Sequence, residues 1–264
     1  MEAYWEWFCS IPGIYRTQRE ILLHCFHDPK QVWEASEQEM IFLRDRGCRW
    51  IQKVMDYKKK VSPDAAVHMR SEMGIQFSSM EAETYPKRLV PLRDKPYGLF
   101  WKGSLPREDV RTVAIVGARM CTPGGRSMSE VLAREVVRAG GEVISGAAYG
   151  IDGAAQWAAL EEGGKSCAVL GCGVDQCYPA SHRTLFARLA TKGGLVSEFP
   201  ALTKAMPSPF PMRNRIISGL SDVVVVVEAR KKSGSLLPAE FALVQGRQVF
   251  AVPGRPDAAR SYGW

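Results

Sequence analysis

From about residue 110 the chain repeats one unit five times: a short apolar run, a turn of small residues, then a stretch of helical length. TVAIVG precedes RSMSEVLAREVVRAG, EVISG precedes GAAQWAALEEG, and KSCAVLG precedes SHRTLFARLATKG. GLVSEF precedes MRNRIISGL, DVVVVVEA precedes LPAEFALVQG, and QVFAVPG closes the series. Strands and helices in this alternation predict an α/β fold, a Rossmann-type parallel sheet with helices on both faces. The five consecutive valines Val223 to Val227 are apolar at every position, which predicts a strand buried on both faces at the centre of that sheet.

Upstream, residues 1–73 read as a separate all-α domain. YWEWFCSIPGI leads into TQREILLHCF, PKQVWEASEQEMIFLRDRG and RWIQKVMDYKKK, with breaks at Pro12-Gly13, Asp28-Pro29 and Gly47. Short helices joined by tight glycine hairpins resemble the helix-hairpin-helix (SAM-like) type of bundle, which in other proteins grips DNA backbone. The same residues pack equally well as a structural bundle, and that reading is preferred because fold analogy alone assigns no function. Lys58-Lys59-Lys60 read as the solvated end of a helix, favourable near its C-terminal dipole. Residues 74–109 hold several prolines and read as a linker with short strands at GIQF and YGLFW. Residues 110–264 form the core domain.

The net charge of +7 over 264 residues permits a phosphate-bearing partner without requiring one. Seven cysteines include no CxxC pair and read as reduced thiols of a cytoplasmic protein. No stretch approaches the roughly 20 apolar residues of a membrane span, and MEAYWEWFCSIPGI carries acids where an export signal needs cations. His24, His27, His68 and His182 have no metal-binding spacing, and GxSxG, HExxH and Walker A sequences are absent. VGARMCTPGGR departs from the dinucleotide fingerprint, because Arg119 and Met120 stand where close pyrophosphate approach needs glycine. The expectation is a protein without catalytic residues, metal or cofactor, and not an enzyme.

In an open parallel sheet, ligands bind beyond the carboxyl ends of the strands. The loops there hold Gly117-Ala118-Arg119, Ser145-Gly146, Tyr149-Gly150-Ile151-Asp152, Gly171-Cys172-Gly173, Arg213-Asn214-Arg215 and Ser233-Gly234-Ser235. Small residues, hydroxyls, an amide and arginines together describe an anion pocket. Arg213 continues the stripe of Ile216, Ile217 and Leu220, so from a first helical turn it projects over the sheet's carboxyl edge as a pocket candidate, or else, like Arg215, it holds loops together by a salt bridge. Arg215, about 200° around the helix, is expected to pair with a carboxylate or reach backbone carbonyls. Arg119 can grip a phosphate with its fork, or form a structural pair with Asp152 or Glu198. Asp152 is expected to cap a helix. Tyr149 either stacks on a base or packs. Phe210, beside Arg213 and the flexible PALTKAMPSP segment, is the better stacking candidate, and Lys204 in that segment is a phosphate contact or a solvated loop lysine.

VGAR (116–119), SGAAYGID (145–152), AVLGCGVDQCYP (168–179), SEFP (197–200), FPMRNRIISGLS (210–221), VVVEA (225–229), SGSL (233–236) and GRQVFAVPG (246–254) resemble the DNA-processing protein A family (DprA, also called Smf). YWEWFCSIPGI, VWEASEQE and YPKRL extend the resemblance upstream over essentially the whole chain. It implies an extended Rossmann core that binds single-stranded DNA entering a naturally transforming bacterium, shields it, and helps load RecA recombinase. By position it places the DNA site on Arg119, Ser145, Gly146, Phe210, Arg213 and Asn214, with Lys204. Pro238 replaces the threonine usual in that family, and the chain ends at PGRPDAARSYGW where members continue with a further helix. The family's dimer and RecA-contacting faces lie toward that end, so a homodimer and RecA loading are open expectations. Two rivals are kept. One is a nucleotide phosphoribohydrolase of the lysine-decarboxylase-like type, although SGSLLPAE lacks that family's double glycine. The other is a scaffold that recruits a protein partner through the helical region.

Overall fold

The computed structural model describes residues 1–206, 209–229 and 236–253, with the backbone alone for 209–211. The helical region holds α1 (Glu2–Ser10), α2 (Arg16–Phe26), α3 (Pro29–Glu34), α4 (Glu37–Asp45), α5 (Ile51–Lys60) and α6 (Pro63–Glu72). The single segment expected from Pro29 to Gly47 is two helices. Ser36 accepts the Glu39 amide at 3.3 Å while the Glu39 carboxylate accepts the Ser36 amide at 2.7 Å, a reciprocal cap that starts a new helix. Gly13 (φ 66°) and Gly47 (φ 99°) make two of the turns in a left-handed conformation that glycine adopts without a Cβ penalty. Trp7, Phe8, Leu22, Met40, Ile51 and Val54 form the bundle's core. The Trp7 indole donates to the Val61 carbonyl at 2.9 Å, so this fully buried ring keeps its polar atom satisfied.

The remaining strands are β1 (Gln76–Ser79), β2 (Gly98–Gly103), β3 (Thr112–Val116), β4 (Glu142–Ser145), β5 (Ser166–Leu170), β6 (Gly194–Ser197), β7 (Val223–Val226) and β8 (Gln248–Ala251). Between them run α7 (Pro123–Arg138), α8 (Ile151–Glu161), α9 (Arg183–Lys192), α10 (Pro209–Gly219) and α11 (Leu237–Val244). Among the described residues they build one sheet in the order β1-β2-β6-β5-β4-β3-β7-β8. β3 to β8 pair in parallel, as expected. The segment expected to be a linker does more than connect. Its two strands pair antiparallel with each other, and β2 pairs antiparallel with β6, Phe100 opposite Ser197. The helical bundle packs on this extension through Phe77, Met80 and Tyr97, and Glu2 accepts both the amide and the hydroxyl of Ser79 at 2.6 Å.

The valine strand is not central; β7 is next to last in the sheet. Val224 and Val226 are fully buried in the cluster that holds Ile216, Ile217 and Leu220 of α10, each burial worth roughly 1.5–3 kcal/mol. Val223 and Val225, on the opposite face, are half-buried, because α7 and α8 lie over β3 and β4. Buried at every position instead are β4 and β5, whose sequences EVIS and SCAVL look wetter. Their serines are accommodated by hydrogen bonds: Ser145 donates to the Ile115 carbonyl at 2.7 Å and Ser166 to the Val143 carbonyl at 2.8 Å.

Candidate nucleic-acid interface

The chain leaves β3 toward β4, β5 and β6 on one side and returns to β7 on the other. Helices on either side of such a reversal part at the carboxyl ends of the strands, leaving a crevice there. Three segments meet at this crevice: the β3–α7 loop with Arg119, the β4–α8 loop with Ser145 to Gly150, and α10 with Arg213 and Asn214.

α10 begins at Pro209, three residues before the expected start, so Arg213 stands in its second turn and not in the first. Prolines 209 and 211 obscured that start, yet proline is tolerated where helix amides have no intrahelical acceptor. Arg213 still reaches the carboxyl edge, as its helical face implied. Its side chain is 5% exposed, and Nη1 donates to the carbonyls of Gly146, at 2.9 Å, and Val169. A Cβ on Gly146 would stand 2.7 Å from both Arg213 Nη2 and Asp152 Oδ2. Only glycine leaves room there for the guanidinium and carboxylate that flank it. The Gly146 amide also donates to Asp152 at 3.1 Å.

The electrostatics follow from burial. Desolvation holds the Arg213 guanidinium down to about 10, against the pull of Asp152, and Arg119 lowers it further. Burial pushes the Asp152 carboxyl up, opposed by Arg213 and by hydrogen bonds from this loop. Asp152 was expected to cap a helix. It lies in the first turn of α8 behind Gly150, the N-cap, with no side-chain capping bond, and its carboxyl group instead faces Arg213 across Gly146. Arg119 follows the end of β3, and Arg213 bonds Gly146 just past the end of β4, so both residues stand at the carboxyl end of the sheet.

Arg119 is exposed on the rim. The two acids weighed as its structural partners are engaged by other arginines: Asp152 faces Arg213, and Glu198 accepts two bonds from Arg215 Nη2 at 2.8 and 2.9 Å. Arg215 also donates to the Asp94 carbonyl at 3.0 Å, the role expected of it. Ser145 lies beneath the rim with its hydroxyl on the β3 backbone. Asn214 is 8% exposed, adjacent to Arg213. Lys204 is exposed on the β6–α10 loop. That loop is less free than its composition suggests, because the Leu202 amide donates to Asp175 at 3.0 Å and the Thr203 carbonyl accepts from Gly173 at 2.9 Å. The Phe210 side chain and Ser233-Gly234-Ser235 lie outside the described residues.

One positioning group was missed. Glu228, just past β7, accepts the amide of Thr122 at 2.9 Å and its hydroxyl at 3.0 Å, while its own carbonyl accepts the Ala118 amide at 2.7 Å. The loop bearing Arg119 is thereby stapled at both ends to β7. Adjacent sequence offers no signal for this pairing across 106 residues.

The sequence profile of the family described as DNA recombination-mediator protein A matches residues 76–264. Protein Smf of Escherichia coli (strain K12) is 36% identical over 253 residues, covering 95% of this chain and 66% of that protein. The X-ray structure of DNA processing protein A from Streptococcus pneumoniae aligns with a TM-score of 0.82 at 30% identity, covering 100% of this chain and 90% of that chain. DNA processing protein A from Helicobacter pylori, whose structure was described for its single-stranded DNA binding mode, aligns with a TM-score of 0.64 at 32% identity over 70% of this chain and 85% of that one. The chain spans about two thirds of the length of the curated relatives it matches first. Its loop motifs, its extended, mostly parallel sheet and these likenesses agree: the chain belongs to the DNA recombination-mediator protein A (DprA/Smf) family.

Proposed function

We propose that this chain binds single-stranded DNA along the carboxyl rim of its sheet, as a DNA-processing protein of the DprA type. The observation that carries the reading is the arrangement of two arginines at the topological reversal, Arg119 exposed on the rim and Arg213 buried beneath it. The described binding mode of the Helicobacter pylori relative supports it. Arg119, Asn214 and Lys204 contact the strand, while Ser145, Gly146 and Arg213 shape and charge the floor, with Phe210 as a base contact. The protein acts as a binding platform and not by catalysis. In the cytoplasm it shields incoming DNA and loads RecA recombinase, working with a second copy of itself.

Phosphate contacts release counterions, so affinity for a single-stranded oligonucleotide falls as salt rises. In a fluorescence-anisotropy titration over a salt series, Arg119→Ala weakens binding to all sequences alike. It also lowers the slope of log affinity against log salt by about 0.7 for each phosphate that the variant no longer neutralises. Unchanged affinity and slope in that variant refute the site. Release of free base from nucleoside monophosphates would instead favour an enzyme.

A further inference from the structure

We infer that Tyr149 is a stacking platform for one nucleobase of the bound strand, next to the phosphate gripped at Arg119; this rests on the single-stranded DNA reading. The β4–α8 loop lifts the ring to the rim. Ala147 (φ 52°) and Gly150 (φ 77°) both adopt left-handed backbone, a bend that a chain without glycine or strain does not make. Tyr149 stands between them, 49% exposed.

The ring is nevertheless fixed. Its hydroxyl accepts from Ser181 Oγ at 3.0 Å. His182 meets it edge-on, with centroids 5.2 Å apart and planes at 74°. His182 Nδ1 lies 3.1 Å from the Ala147 carbonyl, which closes the circuit back to the same loop. A half-exposed aromatic held at hydroxyl and edge is ordered before any ligand arrives, and this removes part of the entropic cost of binding. A ring serving packing alone gains by burying its faces, and this one leaves half of its surface in water.

Its place relative to the arginine defines the subsite. Gly150 abuts the β3–α7 loop so closely that a Cβ there would overlap the carbonyls of Ala118 and Arg119. Tyr149 and Arg119 therefore stand on two loops in direct contact, one offering an aromatic face and the other a cation. An unpaired strand presents a base beside each phosphate, and every base has a π-face, so such a contact adds affinity without sequence preference.

The test compares wild type, Tyr149→Ala, Tyr149→Phe and Arg119→Ala in anisotropy titrations with oligo-dT across a salt series. A wild-type photocrosslink to an oligonucleotide carrying 5-iodouracil is mapped by mass spectrometry. Tyr149→Ala raises Kd roughly 5- to 150-fold, the equivalent of one base–aromatic stack, and leaves the salt slope unchanged. Tyr149→Phe stays near wild type, and residue 149 carries the crosslink. The platform is overturned if Tyr149→Ala binds within twofold of wild type while Arg119→Ala is weakened, a result that leaves the DNA reading intact. It is also overturned if Tyr149→Phe is as weak as the alanine variant, which makes the bond to Ser181 the relevant feature. Wild-type protein without salt-dependent binding removes both proposals. Should Tyr149→Ala unfold, the crosslink decides: its absence from residue 149 overturns the platform.

Discussion

Gly146→Ala tests whether the floor of the crevice is as tightly built as it looks. The added Cβ would stand 2.7 Å from Arg213 Nη2, 2.8 Å from its Cζ and 2.7 Å from Asp152 Oδ2. An arginine tip on the surface would swing away at little cost. This one is 5% exposed and donates to two backbone carbonyls. Ejecting it forfeits hydrogen bonds from a charged donor, about 1.5–3 kcal/mol each. Moving the strand end instead costs about 1–3 kcal/mol, the usual penalty of an overpacked core. The cheaper route decides, so the variant is destabilised by about 1–3 kcal/mol and melts roughly 2–10 °C lower in a chain of this size. Gly124→Ala is the matched control. Its Cβ meets nothing nearer than Thr122 Oγ1 at 3.9 Å, and alanine is favoured over glycine in a helix by about 0.8–1 kcal/mol. Thermal unfolding followed by circular dichroism separates them. If Gly146→Ala melts with wild type, or Gly124→Ala falls as far, Arg213 and Asp152 do not occupy the space described.

Two further substitutions probe the supports. Arg215→Met removes the partner of Glu198 from a position 3% exposed; leaving the partly buried Glu198 without it costs about 1–3 kcal/mol, read as a lower urea midpoint at unchanged slope. For Asp222, burial alone would raise the carboxyl, but the Thr112 amide and Arg88 outweigh it and hold it below its ordinary value. A depressed folded value contributes stability that is present above the unfolded value, about 3.9, and is lost as pH falls through the folded one. Asp222→Asn is therefore less stable than wild type at pH 7, and the gap narrows below about pH 4; a gap independent of pH refutes this.

The repeating strand–helix rhythm was legible because each unit carries its own hydrophobic period, a local property. Sheet order is not local. Five valines report dryness, but not which neighbours supply it, and β7 proved to be next to last. Conversely, EVIS and SCAVL form fully buried strands because their serines find carbonyl acceptors on adjoining strands, partners invisible until the strands are aligned. The same division holds at the site. Spacing along α10 assigned Arg213 and Arg215 to different directions, and the structure bears that out. The roles of Asp152 and Glu228 depend on loops brought together from distant parts of the chain, and helix-capping chemistry offered a local explanation for Asp152 that the fold does not use.

The dry strand and the polar helix that precedes it are parts of one device. Val224 and Val226 pack with Ile216, Ile217 and Leu220 in a single core, which fixes the axis of α10 and leaves Arg213, on the same face, only the carboxyl ends of β4 and β5 to meet. With its guanidinium held at about 10, Arg213 remains protonated at neutral pH although buried, and the Asp152 side chain stands beside it at Gly146. A charge already out of water and already oriented needs no reorganisation when an anion approaches. In the proposed interface, Arg119, exposed on the rim, is the arginine assigned to exchange counterions with the strand. The two arginines therefore act differently: substitution at 119 changes the salt dependence of binding first, and substitution at 213 changes stability first.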